Sequence, residues 1–193
     1  MIVIAATKNK GKVREMQEIL FPLAIEIISQ EEAGIELDVE ETGDTFERNA
    51  LLKARAVAMV CDYPVLADDS GLCVDALGGA PGVHSARYAG EDATNSEKIN
   101  KLLNELGNND NRNAKFVTCV AFIMPDGTEI IAKGEVKGHI THAPEGNNGF
   151  GYDPIFFSDE LGKTFAQSSD EEKNSVSHRG RALRSLYEKL KEM

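Results

Sequence analysis

Asp68 and Asp69 stand side by side in this chain, followed at once by Ser70 and Gly71 and preceded by the apolar run Pro64-Val65-Leu66-Ala67. The run has the length and composition of a buried strand. It is expected to end at the carboxylates. In open α/β sheets ligands bind just beyond the carboxyl ends of strands. Two carboxylates there repel each other unless a cation or a proton lies between them. A hard divalent ion such as Mg²⁺ accepts one or two carboxylates together with phosphate oxygens. Glu40 and Glu41, in the acidic stretch Gln30–Gly43, are further candidate ligands, or plain solvated loop residues. Asp-Asp-Ser-Gly is equally a composition that makes ordinary turns.

A second cluster follows the first apolar run, Met1–Ala6: Thr7-Lys8-Asn9-Lys10-Gly11-Lys12, then Val13, Met16, Ile19 and Leu20 at helical spacing. Strand, cationic glycine loop and helix form the geometry of an anion site, where backbone N–H groups and the helix dipole favour phosphate. The Gly-x-x-x-x-Gly-Lys-Ser/Thr loop is absent, because Val13 follows Lys12 and no glycine precedes Gly11. A lysine-rich solvated turn is the competing reading.

Two more groups lie in the second half. Gly146 to Phe157 holds Phe150, Gly151, Tyr152 and Asp153 among glycines and a proline. A glycine-flanked Phe can offer its face to a nucleobase, and an Asp can accept hydrogen bonds from ring N–H groups. Alternatively Phe150 and Tyr152 pack as core of a hairpin. Farther on, Lys173, Ser177, His178 and Arg179 precede a helix whose apolar face carries Leu183, Leu186, Tyr187 and Leu190. Cations in a helix's first turn oppose its dipole, which favours a compensating partner.

The elements that must position these residues are an alternation of strands and helices. Ala24–Ser29 patterns as a strand. Asp44 with Glu47 has capping-box spacing ahead of the stripe Phe46, Ala50, Ala54, Val57 and Cys61, with Lys53 and Arg55 on other faces. Thr94 and Glu97 cap a helix through Leu106 that Gly107 closes. Ala114–Met124 and Glu129–Lys133 flank the turn Pro125-Asp126-Gly127, and Val136–Ile140 is a candidate third strand. The expected fold is α/β with a mixed sheet, as a single domain over residues 1–193 with two lobes.

Of the 193 residues 41% are hydrophobic, enough for a core, and the formal net charge is −11. That charge argues against a nucleic-acid or anionic-membrane partner. It leaves a small anion possible where lysines cluster within a Debye length. Cys61, Cys73 and Cys119 form no Cys-x-x-Cys pair, as expected of a reducing, cytoplasmic setting. Met1–Ala6 lacks a charged leader, so no signal peptide is expected, and no apolar run reaches the ~20 residues of a membrane helix.

Taken in order, Thr7–Lys12, Glu40-Glu41-Thr42-Gly43, Asn49-Ala50, Lys53-Ala54, Ala67–Leu72, Gly79-Ala80-Pro81-Gly82, Ser85-Ala86-Arg87-Tyr88, Phe150–Pro154, Glu172-Lys173 and Ser177–Gly180 resemble the inosine/xanthosine triphosphate pyrophosphatases. Lys8 departs from the small residue usual at that position. The resemblance spans nearly the whole chain. It implies an elongated mixed sheet in two lobes with flanking helices and a central substrate groove, usually as a homodimer. It implies Mg²⁺-dependent hydrolysis of ITP, dITP and XTP to monophosphate and pyrophosphate, with Mn²⁺ a possible substitute. Asp69 would be the general base or a metal ligand, with Glu40 or Glu41 beside it. Ser70, Lys53 and the loop Thr7, Lys8, Asn9, Lys10, Gly11 and Lys12 would meet the triphosphate. Phe150, Gly151, Tyr152, Asp153, Lys173, His178 and Arg179 would meet the purine and its surroundings. The rival expectations are a pyrophosphatase for pyrimidine or modified nucleotides and a nucleotide-binding module without turnover.

Overall fold

The computed structural model describes residues 1–193. Its strands are β1 (Ile2–Ala5), β2 (Glu26–Ser29), β3 (Val65–Val74), β4 (Asn113–Ile123), β5 (Glu129–Ile140), β6 (Phe156–Ser158) and β7 (Lys163–Thr164). Its helices are α1 (Lys10–Leu20), α2 (Phe46–Ala58), α3 (Asn95–Leu106), α4 (Asp170–Val176) and α5 (His178–Lys191). The sheet runs in the order β2-β1-β3-β4-β5-β6-β7. It is mixed: β1 pairs in parallel with β2 and β3, while β6 pairs antiparallel with β5 and β7.

The chain divides into two compact units. The first holds residues 1–69, 118–134 and 179–193, and the second holds 70–117 and 135–178. In the first unit two apolar layers cover opposite faces of the strands. On one face Val3, Ala5, Leu66, Val120 and Phe122 meet Met16 and Leu20 of α1 and Ala182, Leu183 and Leu186 of α5. On the other, Ile4, Ala6, Val65, Ala67 and Ala121 meet Ala50, Ala54 and Val57 of α2. Residues of each strand sort by odd and even position, as the two-residue period requires. The second unit has its own core, in which Leu72, Phe116, Val136, Ile140, Phe156 and Phe165 pack with Ile99, Leu102 and Leu106 of α3. Arg112, at the start of that core, gives its guanidinium to the carbonyls of Gly107, Ile140 and Thr141.

Several local expectations are corrected. β3 does not stop at the carboxylates: it continues through Asp68-Asp69-Ser70-Gly71 to Val74, so these residues form neither a strand end nor a turn. The run stays extended because its flanks, Val65–Ala67 on one side and Leu72 and Val74 on the other, are buried apolar positions around the polar stretch. The cap of α2 is Thr45, whose hydroxyl accepts from the Arg48 amide, whereas Asp44 pairs with Arg48 through its side chain. β2 starts only at Glu26, since Ala24 takes a left-handed φ of 60°. Glu129–Lys133 and Val136–Ile140 are one strand, because Gly134 between them remains extended. The short helix α4 precedes α5, and Ser177, at φ −64° and ψ 155°, breaks the two apart. No helix is long and apolar enough to cross a membrane.

Leu183 is fully buried between α5 and the sheet. Leu183→Ala leaves a cavity there, and urea denaturation is expected to show a loss of about 2–5 kcal/mol with an unchanged m-value.

Candidate active site

The alternation of β3 governs the first cluster. Leu66 and Asp68 share one face of the strand, and Val65, Ala67 and Asp69 share the other. The neighbouring carboxylates therefore do not confront each other, and each meets a different helix layer. This corrects the expectation that a cation or a proton must lie between them.

Asp68 is fully buried and turned toward α1 and α5. Arg179, at the start of α5, places Nε and Nη2 on Asp68 Oδ2 at 3.2 and 2.9 Å. Its Nη1 donates to Glu15 of α1, itself buried. Lys12 Nζ, on the same turn of α1, lies 3.2 Å from Asp68 Oδ1. Against the desolvation that burial imposes, the charges of Lys12, Arg179 and Lys53 hold the Asp68 carboxyl far below the usual carboxylate range. Burial lowers the Lys12 ammonium, with Lys53 and Arg179 adding to the effect and Asp68 opposing it. Arg179, expected at the purine, is thus seated on two carboxylates of the first unit. Glu15 was not expected at all. Its signal in the sequence is a carboxylate one residue from the buried Met16 on α1.

Asp69 is turned toward α2. Its Oδ2 accepts from Asn49 Nδ2 at 3.0 Å, and its Oδ1 lies 4.0 Å from Lys53 Nζ. Lys53 also donates to the Asp68 carbonyl at 2.7 Å and to Glu41. Burial raises the Asp69 carboxyl above its ordinary value; Lys53 opposes this and Glu41 reinforces it. Two carboxylates from β3 and the Glu40–Gly43 segment therefore gather around one ammonium. Glu40 is exposed and outside this group. No group of three or more His, Cys, Asp or Glu side chains stands ready to bind a metal alone. The donor set, Asp69 and Glu41 around a single cation, fits a hard divalent ion whose remaining ligands are phosphate oxygens and water.

In the cationic loop, Asn9 caps α1: its Oδ1 accepts from the Lys12 amide at 3.2 Å, and its own amide donates to Thr7 Oγ1. Gly11 lies in the first turn of the helix. Thr7, Lys8 and Lys10 line a concavity of about 750 Å³ over α1 and β2, along with Arg14, Glu18 and Glu32. Lys8 pairs with Asp38 at 3.2 Å across the surface. Ser70 is half-buried in β3, directly after Asp69.

The second unit carries the other expected residues. Asp153 is buried, and its Oδ2 accepts from the Phe150 amide at 2.9 Å and from Lys173 Nζ at 2.6 Å. Gly149, at φ +74°, makes this possible, since a Cβ there would sit 2.1 Å from Asp153 Oδ2. Lys173 lies 4.8 Å from the centre of the half-buried Phe150 ring. His178 stacks on Phe116 at 4.7 Å and 11°. Gly151 has φ +62° and turns the chain into Tyr152. Tyr152 itself is core: its ring is buried among apolar side chains and its hydroxyl donates to the Ser85 carbonyl at 2.8 Å.

A mixed α/β sheet with a cation-flanked carboxylate and a separate Phe-Asp-Lys-His group has the equipment of a nucleotide hydrolase. The chain belongs to the Ham1 family, whose family model matches residues 3–189. A dITP/XTP pyrophosphatase of Treponema denticola is 48% identical over 194 residues, covering 99% of both chains. Among solved structures, the Ham1 protein of Staphylococcus aureus is 46% identical with a TM-score of 0.87, covering 99% of this chain and 98% of that one. A HAM1 protein from Coxiella burnetii is 43% identical with a TM-score of 0.89, covering all of both.

Arg179 balances Asp68 and Glu15 in a buried setting, so its loss leaves carboxylates uncompensated. Arg179→Met is expected to destabilise the fold by about 3–5 kcal/mol in urea titrations. Adding Glu15→Gln, which restores a neutral Asp68–Lys12 pair, is expected to recover part of that loss.

Proposed function

We propose that this chain is a nucleoside triphosphate pyrophosphatase acting on non-standard purine nucleotides, ITP, dITP and XTP among them. The observation that carries the reading is Asp69, held by Asn49 and grouped with Glu41 around Lys53, in a chain closely similar to proteins named dITP/XTP pyrophosphatase. Water attacks the α-phosphorus, the bond from that phosphorus to the bridging oxygen breaks, and pyrophosphate leaves with that oxygen.

Lys12 and Lys53 are the cations that neutralise charge on the phosphate oxygens as the transition state forms. Asp69 acts either as general base toward the attacking water or as a carboxylate ligand of the divalent ion that activates it. Asp69 and Glu41 would hold Mg²⁺, or Mn²⁺ in its place, which lowers the pKa of a bound water and neutralises phosphate charge. In the second unit Phe150 offers a stacking face to the purine, and Asp153 and Lys173 supply an acceptor and a donor. A donor meets the 6-oxo group of hypoxanthine and xanthine, whereas adenine's amino group would leave it unpaired. Arg179 and Tyr152 act from behind the site, through Asp68 and through the core. We further infer a cytoplasmic homodimer, on the family resemblance.

Incubation with ITP, XTP, dITP, GTP, ATP and dTTP, with Mg²⁺ or EDTA, tests the reading when pyrophosphate and orthophosphate are quantified separately. Pyrophosphate from ITP, dITP and XTP, little from GTP, ATP and dTTP and none with EDTA is the expected result. Orthophosphate as the first product, or preference for dTTP, overturns it. Asp69→Asn is expected to lower kcat about 10²–10⁴-fold. Phe150→Ala should raise KM for ITP about 5–150-fold, the equivalent of a stacked base.

A further inference from the structure

Asn49 is a fully buried amide within α2, on the side of the helix that packs against the sheet. Asn is a poor residue for a helix interior, because its side chain competes for backbone hydrogen bonds. Here the side chain makes no bond to its own helix through the contacts that define it. Nδ2 donates to Asp69 Oδ2 at 3.0 Å, and Oδ1 accepts from the Gly43 amide at 2.8 Å. One planar group thus ties β3 to the segment that carries Glu41, two residues before Gly43. The approach is close enough that a Cβ on Gly43 would stand 2.6 Å from Asn49 Oδ1. One turn along α2, Lys53 meets Glu41 and faces Asp69 Oδ1 from the other side.

We propose that Asn49 is the positioning residue of the reaction: by holding Asp69 and the Gly43 backbone together, it sets the carboxylate's orientation and its spacing from Glu41. This inference rests on the pyrophosphatase reading for its chemistry. An amide suits the task better than a charged donor, since it fixes Asp69 Oδ2 without adding a cation that would compete with a divalent ion. The Asn Oδ1 end can only accept and the Nδ2 end can only donate, so the group has one productive orientation between an N–H and a carboxylate. Outer partners of this kind commonly change metal affinity or activity about 10–100-fold when removed.

The test uses the full chain with Asn49→Ala, Gly43→Ala, Asp69→Asn and the Asn49→Ala/Asp69→Asn double variant. Mn²⁺ binding is measured by electron paramagnetic resonance with an α,β-imido analogue of ITP, so that no turnover is needed. Circular dichroism establishes that each variant is folded. For Asn49→Ala the Mn²⁺ dissociation constant is expected to rise about 10–100-fold, and kcat to fall more than KM rises. Gly43→Ala keeps the amide but displaces it, and is expected to weaken Mn²⁺ binding in the same direction by a smaller factor. In the Asp69→Asn background, where there is no carboxylate left to orient, Asn49→Ala should change kcat by less than about 3-fold. Mn²⁺ affinities within about 2-fold of wild type for folded Asn49→Ala and folded Gly43→Ala would overturn the proposal. So would an undiminished effect of Asn49→Ala on kcat when Asp69 is already Asn, because that would mark a general structural role. A wild-type protein that leaves ITP intact refutes the pyrophosphatase reading instead, while the Mn²⁺ measurements still decide whether Asn49 positions Asp69.

Discussion

A β-strand sends successive side chains to opposite faces, and in this protein that rule acts on two neighbouring carboxylates. Were Asp68 and Asp69 on one face, a single cation would have to serve both, and their pKa values would diverge strongly. Because β3 stays extended through them, each has its own surroundings. Asp68 sits in the layer of α1 and α5 with Arg179 and Lys12; Asp69 sits in the layer of α2 with Asn49 and Lys53. The apolar neighbours Leu66 on one side and Val65 and Ala67 on the other fix that register. A shift of one residue would exchange the two environments and expose the apolar set.

The two environments produce opposite electrostatics. Asp68 has more positive than negative neighbours and stays ionised, so it serves as the counter-charge that holds Lys12 and Arg179 in place. Asp69 is desolvated and feels Glu41, which together raise its carboxyl against the opposing pull of the Lys53 ammonium. In the proposed reaction the chemistry falls to Asp69, and Asp68 serves as scaffold. A buried ion pair is weak support for stability as such, since desolvation offsets most of its attraction. Its value here is geometric: Arg179 joins α5 to β3 and to α1, and Lys12 of α1 is carried by the same helix turn that carries Glu15.

Much of this was legible in the sequence. The carboxylate pair, the cationic loop after β1 and the Phe150 and Asp153 group were visible as residue types beside glycines, while Lys53 and Lys173 stood out through the family resemblance. The periodicity of α1, α2, α3 and α5 was legible for the same reason that they fold: one apolar face of each meets the sheet or its neighbours. What was not legible depends on contacts distant in sequence. Nothing local indicates that Arg179 reaches back 111 residues to Asp68, or 164 residues to Glu15. Asp-Asp-Ser-Gly has turn composition, and only the burial of its flanks keeps it in a strand. Tyr152 and Phe150 look alike in sequence, two aromatics one glycine apart, yet Tyr152 is core. The partner that decides it, the Ser85 carbonyl, lies 67 residues away.

Asp153 shows how backbone conformation can do the work that charge does at Asp68. Its carboxylate also faces a buried cation, Lys173, but a second donor is the Phe150 amide, available because Gly149 adopts a left-handed φ and leaves room where any side chain would collide. The same carboxylate oxygen therefore fixes both the Lys173 ammonium and the start of the segment that carries the Phe150 ring. Lys173 in turn lies over that ring, so cation, carboxylate and aromatic face are mutually constrained. Replacing Gly149 would disturb all three at once, although its own side chain is a single hydrogen. The glycine acts through geometry and Asp68 acts through charge, and both leave the groups they serve in one arrangement before any ligand arrives, the condition under which polar groups contribute most to recognition.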